Sequence, residues 1–214
     1  MIFHTIAPHC PLILASSSPR RKRLLRQLGL PFRIRASRVD ENGATGEPAT
    51  RACALAEKKA RTAFRKAGNR WILGADTLVV FEDRMLGKPL DEKEAAAMLS
   101  LLSGKEHRVV TGFCLLAPEG HPAHSEAVTT RVRMKRLGRE EILGYIATGE
   151  PFGKAGGYAI QGIGAFMVEG ISGSYTNVVG LPVCAVIKAL LAAGALKNFP
   201  LAVSPRPSSD GRSR

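Results

Sequence analysis

Several short stretches concentrate side chains able to handle phosphate. Ser16-Ser17-Ser18-Pro19 leads out of an apolar run, and Arg20, Arg21, Lys22, Arg23 and Arg26 follow with no acidic residue among them. Ser caps helix N-termini well and Pro suits the first helical position, so a helix starts here. Cations at that end oppose the helix dipole by about 0.3–1 kcal/mol each, and stability alone favours Asp or Glu. The pattern makes sense where an anion binds, because free N–H groups, dipole and guanidinium groups then converge on phosphate. The plainer reading is a solvated basic face. Asp76, in Gly74-Ala75-Asp76-Thr77, lies inside an apolar strand-like run. Such a carboxylate is costly to bury unless it is paired, metal-bound or catalytic. It suits a metal ligand or a base that activates water, and local backbone hydrogen bonding is the structural alternative. Asp40 and Glu41 form another acidic pair and offer a second oxygen ligand, of the kind Mg²⁺ prefers.

Gly87-Lys88-Pro89 and Gly153-Lys154-Ala155-Gly156-Gly157 each set one Lys among small residues. Gly lets backbone approach a ligand closely and Lys supplies the counter-charge, although Gly-Lys is otherwise an ordinary exposed turn. Gln161, in Tyr158-Ala159-Ile160-Gln161-Gly162, carries the paired donor and acceptor that read a base edge, or else serves a strand end. There is no GxxxxGK[ST] and no strand–GxGxxG–helix unit, which argues against a Walker site and a dinucleotide fold. No serine sits in a nucleophile elbow, so acyl transfer is unsupported. The histidines show no ligand spacing and are expected at the surface. Cys10, Cys53, Cys114 and Cys184 have no zinc spacing and read as scattered buried thiols of a reducing compartment.

These residues need elements to hold them. Residues 12–15 suit a buried strand, and the helix after Pro19 should run to Leu28 with Leu24, Leu25 and Leu28 inward and Gly29 closing it. A helix is expected over 50–66, a central strand over 71–81 and a hairpin turn near 82–84. Asp91 and Glu94 form a capping-box-like start for a helix through Leu102. Strands are expected over 108–116 and 127–134; in the second, Val128, Thr130, Val132 and Met134 alternate with polar residues. A helix over 139–147, a Gly-rich segment over 153–180 and a last helix over 182–193 complete the chain. The class is α/β (α+β) with a mixed sheet.

The chain has 214 residues, 45% hydrophobic and 23% charged, which suits one large domain or two small lobes with a real core. No apolar run reaches membrane-spanning length, so no membrane partner is expected. The N-terminus lacks the basic region and apolar core of a secretory signal, and the expected location is cytoplasmic. Lys and Arg number 31 against 18 Asp and Glu, a net +13 that should attract polyanions. The stretch 204–214 reads as a disordered basic tail, and 1–9 as a short N-terminal extension. A non-enzymatic nucleic-acid or nucleotide-binding module is the competing class. With aromatics at 6% and no nucleic-acid motif, no specific nucleic-acid partner is expected.

Taken together and in order, the run 12–21, Gly74-Ala75-Asp76-Thr77, Gly87-Lys88-Pro89, the run 154–162 and Gly180-Leu181-Pro182 resemble the Maf family of nucleoside triphosphate pyrophosphatases. The likeness covers about residues 11–193, and the domain is set at 10–197. It implies a curved mixed sheet flanked by helices, with two lobes around a nucleotide cleft, of the inosine-triphosphatase-like kind. It implies hydrolysis of a nucleoside triphosphate to the monophosphate and pyrophosphate with Mg²⁺ or Mn²⁺. By this likeness Asp76 is the proton acceptor, and Ser16, Arg20, Arg21, Lys59, Lys88 and Lys154 hold substrate, Lys88 with a catalytic share. Glu41 helps with metal or water, and Asp76 and Glu41 are the metal ligands. Members preferring dTTP and UTP share Arg, Thr and Gln where this chain has Arg20, Thr77 and Gln161. The branch acting on 7-methyl-GTP typically has Gln after the Asp, so the resemblance favours the pyrimidine branch over that one. Gly153 departs from the Asp that many members of the branch carry there. The family also suggests a homodimer.

Overall fold

The computed structural model describes residues 5–36, 39, 46–65 and 69–201. The expected tail over 204–214, and the pair Asp40 and Glu41, lie outside the described residues. Leu12–Leu14 (β1) is fully buried and leads into Pro19–Gln27 (α1), whose first turn is closed by the Ser18 side chain accepting from Arg21 N–H at 3.5 Å. Phe32–Ile34 (β2) pairs parallel with β1. Pro48–Phe64 (α2) precedes Ile72–Phe81 (β3), and Arg84–Leu86 (β4) folds back on β3 through the expected hairpin. Glu92–Leu102 (α3) starts at Asp91, whose carboxylate accepts from Glu94 N–H at 2.7 Å. Glu106–Leu116 (β5), Pro122–Met134 (β6) and Arg139–Ala147 (α4) follow, then Val168–Ser172 (β7), Tyr175–Val179 (α5) and Val183–Ala192 (α6).

The sheet runs β2-β1-β3-β5-β6-β7, with β4 also pairing with β3. β2, β1 and β3 are parallel, and β3, β5, β6 and β7 are successively antiparallel, which makes the mixed sheet expected. α2 lies directly on one face because glycines clear the ground for it. A Cβ at Gly74 would stand 2.1 Å from the Ala56 carbonyl, and one at Gly112 would stand 2.3 Å from the Ala52 carbonyl carbon. Ala52, Ala56 and Ala60 complete this close contact of backbone with backbone, and all are buried.

The opposite face carries two separate apolar cores. Leu73 and Ala75 of β3 and Phe113 and Leu115 of β5 pack with α1 and α6. Val79 and Phe81 of β3, with Val109 of β5, pack with α3 and α4. Between them on that face stand Thr77 and Thr111, paired in register. A polar rung therefore divides the face into two lobes.

Several local expectations are corrected. β6 begins at Pro122 rather than near 127, since His124 and Glu126 supply no apolar alternation there. α2 begins at Pro48 rather than Thr50, with Pro in its first turn. β7 and α5 lie inside the stretch read only as Gly-rich, and short elements of this kind are held by tertiary contacts more than by periodicity. His107 is not at the surface: it is 2% exposed, in phase with Val109 and Phe113 along β5. Of the thiols only Cys114 is buried; Cys10 and Cys53 are half-buried and Cys184 is exposed.

Candidate active site

The sheet is forked at β3. On one side β3 pairs with β1 only at Ile72 and Leu73, and with β4 only from Val79 onward. Along the stretch between, 74–78, β5 is the only paired neighbour among the described residues. Divergence of neighbouring strands is where open α/β sheets place ligands. Because β1 ends beside Leu73, the chain leaving it brings Ser16 and the start of α1 to this opening.

Successive residues of a strand face opposite ways, and the site uses both faces. Asp76 points to the α2 side, where Lys59 Nζ meets Asp76 Oδ1 at 2.5 Å, and the residues are 9% and 6% exposed. The cost of burying Asp76 is thus offset by an ion pair that the seating of α2 on Gly74 makes reachable. Thr77 points to the divided face. Arg21 donates from Nη2 to Thr77 Oγ1 at 2.9 Å, from Nη1 to Ser16 Oγ at 3.1 Å and from Nε to the Gly180 carbonyl at 2.7 Å. It is a buried cross-member between α1, β3 and the end of α5. Ser16 Oγ also accepts from Ser18 N–H at 3.2 Å, which leaves its own O–H to donate outward.

Arg20 anchors by Nε to the Val179 carbonyl at 3.2 Å. Its outer nitrogens bond to no described residue. Lys154 donates from Nζ to the Glu150 carbonyl. Burial lowers the Arg20 guanidinium from its ordinary value. Burial also lowers the Lys154 ammonium, and the Arg20 charge lowers it further. Two partly desolvated cations therefore feel each other's charge, an arrangement relieved by a bound anion. The Gly156 N–H donates to the Gly87 carbonyl at 2.9 Å, which sets the Lys154 and Lys88 loops side by side, and Gly156 rests on Val79.

The structure thus gathers Ser16, Arg20, Arg21, Lys59, Asp76, Thr77, Lys88 and Lys154 around the fork. Gln161 is half-exposed on the loop beyond Lys154 and makes no side-chain hydrogen bond among the described residues. Glu41 is outside them. Gly153 has φ +74° with nothing within 4 Å of a built Cβ, so a carboxylate there meets space but needs a left-handed backbone. Sequence reading missed Thr111 and Asn177, both fully buried. Thr111 Oγ1 donates to the Asn177 carbonyl at 3.1 Å and lies 2.9 Å from Thr77 Oγ1. Asn177 Nδ2 donates to the Val109 carbonyl at 3.0 Å and Thr130 Oγ1 at 2.9 Å, pinning α5 to the sheet. Thr111 was detectable as the polar break in the inward phase of β5; Asn177 had no comparable signal.

A family model described as Maf-like protein matches residues 11–193. The chain belongs to the Maf family. A relative from Citrifermentans bemidjiense, a dTTP/UTP pyrophosphatase, is 51% identical over 188 residues, covering 87% of this chain and 97% of its own. A second dTTP/UTP pyrophosphatase, from Syntrophotalea carbinolica, is 48% identical over 199 residues, covering 92% of this chain and 89% of its own. Among solved structures, a nucleoside-triphosphatase / dITP/XTP pyrophosphatase from Mycobacterium abscessus covers 59% of this chain and 75% of its own at 16% identity and a TM-score of 0.39, an overlap too loose to carry detail. The Maf match spans every residue around the fork. Among the described residues there is no cluster of three or more His, Cys, Asp or Glu able to hold a metal, and no helix long and apolar enough to cross a membrane.

Proposed function

We propose that this Maf protein hydrolyses dTTP and UTP to the nucleoside monophosphate and pyrophosphate. The observation that carries the reading is a sheet fork that holds both a buried carboxylate, Asp76 on Lys59, and two partly desolvated cations, Arg20 and Lys154. The names of relatives near 50% identity support the substrate class.

In this reading Ser16 O–H, Arg20, Lys88 and Lys154 bind the triphosphate and offset the charge that moves onto pyrophosphate as the bond to the α-phosphorus breaks. Arg21 and Lys59 act one step back, Arg21 holding Ser16 and Thr77, Lys59 orienting Asp76. Asp76 accepts the proton of the attacking water. One carboxylate with substrate phosphates is a donor set that Mg²⁺ or Mn²⁺ accepts, and Asp76 would be the protein ligand, with Glu41 as the second. Such an ion, when bound, would neutralise charge on the triphosphate.

Base preference follows from hydrogen-bond direction. The Thr111 hydrogen goes to the Asn177 carbonyl, so Thr77 donates its own to Thr111 at 2.9 Å, or to the Gly180 carbonyl at 3.4 Å, and accepts from Arg21. Either way its hydrogen stays within the protein and one lone pair remains. Thr77 can therefore accept from a base and cannot donate to it. Uracil and thymine present a donor at N3, where cytosine presents an acceptor. Gln161 adds a donor and an acceptor for the carbonyl edge.

The test is pyrophosphate release from dTTP, UTP, CTP, GTP, ITP and 7-methyl-GTP with Mg²⁺ or Mn²⁺. Preferential turnover of dTTP and UTP is expected, with Thr77→Val narrowing the advantage of UTP over CTP. Turnover of another base removes the assignment of Thr77 and Gln161, and no turnover at all removes the reaction.

A further inference from the structure

Glu150 holds no place in the contacts proposed above, yet its carboxylate sits under the turn that presents Gln161. Oε1 accepts from Tyr145 O–H at 3.0 Å and Gly164 N–H at 2.9 Å, and Oε2 accepts from Ile163 N–H at 3.1 Å. Those two N–H groups open the 3-10 turn Ile163–Met167, so Glu150 acts as its cap from a distant part of the loop. The Tyr145 oxygen in turn accepts from Ala159 N–H at 3.2 Å. Gly162 lies against the carboxylate so closely that a Cβ there would stand 2.4 Å from Oε2, and its φ is +78°. Gln161 is therefore bracketed, by Tyr145 on one side and Glu150 on the other. The carbonyl of the same Glu150 receives Lys154 Nζ. Burial opposes the charge of Glu150, but these N–H groups, the Tyr145 hydroxyl and Lys154 hold its carboxyl below the usual range. Tyr145 is itself fixed, 2% exposed in the α3–α4 core.

We infer that Glu150, acting with Tyr145, is the positioning residue for Gln161, so that base preference depends on a carboxylate that does not meet the nucleotide. This rests on the function proposed above. A carboxylate is required because three donors converge on it; an amide turns one of its two acceptors into a fourth donor.

The full chain is compared with Gln161→Ala, Glu150→Ala, Glu150→Gln, Tyr145→Phe and the double variant Gln161→Ala/Glu150→Ala. Readouts are kcat and KM for UTP and CTP, and affinities for their non-hydrolysable α,β-imido analogues. Glu150→Ala is expected to lower the UTP/CTP preference about as far as Gln161→Ala, roughly tenfold, and the double variant no further. Glu150→Gln, which keeps one acceptor oxygen, should recover part of the preference. If Glu150→Ala and Tyr145→Phe lower the melting temperature and slow both nucleotides in equal proportion, the role is structural and the inference is overturned. A wild type that binds the UTP analogue preferentially but hydrolyses neither nucleotide sinks the proposed reaction, while the affinities still decide the positioning role. A wild type that prefers neither nucleotide sinks both.

Discussion

Asp76 illustrates how one residue can be read as functional and still need structure to explain its survival in a core. Its partner is Lys59, 17 residues earlier on α2, and the two meet at 2.5 Å out of water. Asp76→Asn should therefore retain the fold and lose about 10²–10⁴-fold in turnover if the carboxylate takes the proton. Normal pyrophosphate release by that variant would exclude the role. Lys59→Ala leaves a buried carboxylate without its partner and should cost on the order of 3–5 kcal/mol in urea unfolding, more than Asp76→Asn. His107 gives a second residue-scale expectation. Its Nε2 lies 2.7 Å from the Tyr158 hydroxyl, and burial pulls its pKa down to about 4. Between that value and the ordinary 6.5 the unfolded chain binds the extra proton, so stability is complete above 6.5 and falls as pH drops toward 4. The loss is on the order of 3 kcal/mol at most. Urea midpoints measured from pH 7 to 4.5 should show this slope, and His107→Gln should flatten it.

At the scale of elements, the contact of α2 with the sheet sets the site. Gly74→Ala pushes a methyl group into the Ala56 carbonyl, 2.1 Å away, and neither backbone can yield locally. The variant should lose about 1–3 kcal/mol by overpacking, and lose activity beyond that because Lys59 is lifted off Asp76. Unchanged kinetics in a destabilised Gly74→Ala protein would separate α2 from the chemistry. The long elements were legible in sequence because each has its own signal: Ser18 and Pro19 start α1, Asp91 starts α3, and β3 is an apolar run broken only by the small polar patch at Asp76 and Thr77. β7 and α5 were not, since Asn177, Thr130 and the backbone of β5 hold them, and such partners are set by folding. The candidate site divided the same way. Ser16, Asp76 and Lys154 stand in recognisable strings, whereas Tyr145 and Glu150 acquire meaning only when the chain returns at Ile163 and Gly164. Thr77 was legible as a residue, but the direction of its hydrogen bond was not, because that is decided by Thr111 on another strand.

For the whole molecule, the excess of 31 Lys and Arg over 18 Asp and Glu acts on encounter rather than on fold. Screening of that excess by salt should raise KM for UTP, with kcat changing less; steady-state rates at rising NaCl check this, and a flat KM would confine the useful charge to the fork. The arrangement of the cores has a different consequence. The divided face gives each lobe its own interior, but α2 lies behind both, with Ala52 against Val80 and Val110 of one and Ala56, Ala60 and Ala63 against Ile13, Ile72 and Leu116 of the other. At 17 residues it is about 25 Å long, enough to reach across the boundary. The helix thus backs the strands that carry both interiors and ties the two halves of the sheet together. Calorimetry should then show one cooperative peak, with equal van't Hoff and measured enthalpies, and a second peak would mean that the helix belongs to one lobe alone. Two halves that share a single back wall must stand or collapse together, which leaves the opening between them room to flex without either half coming undone.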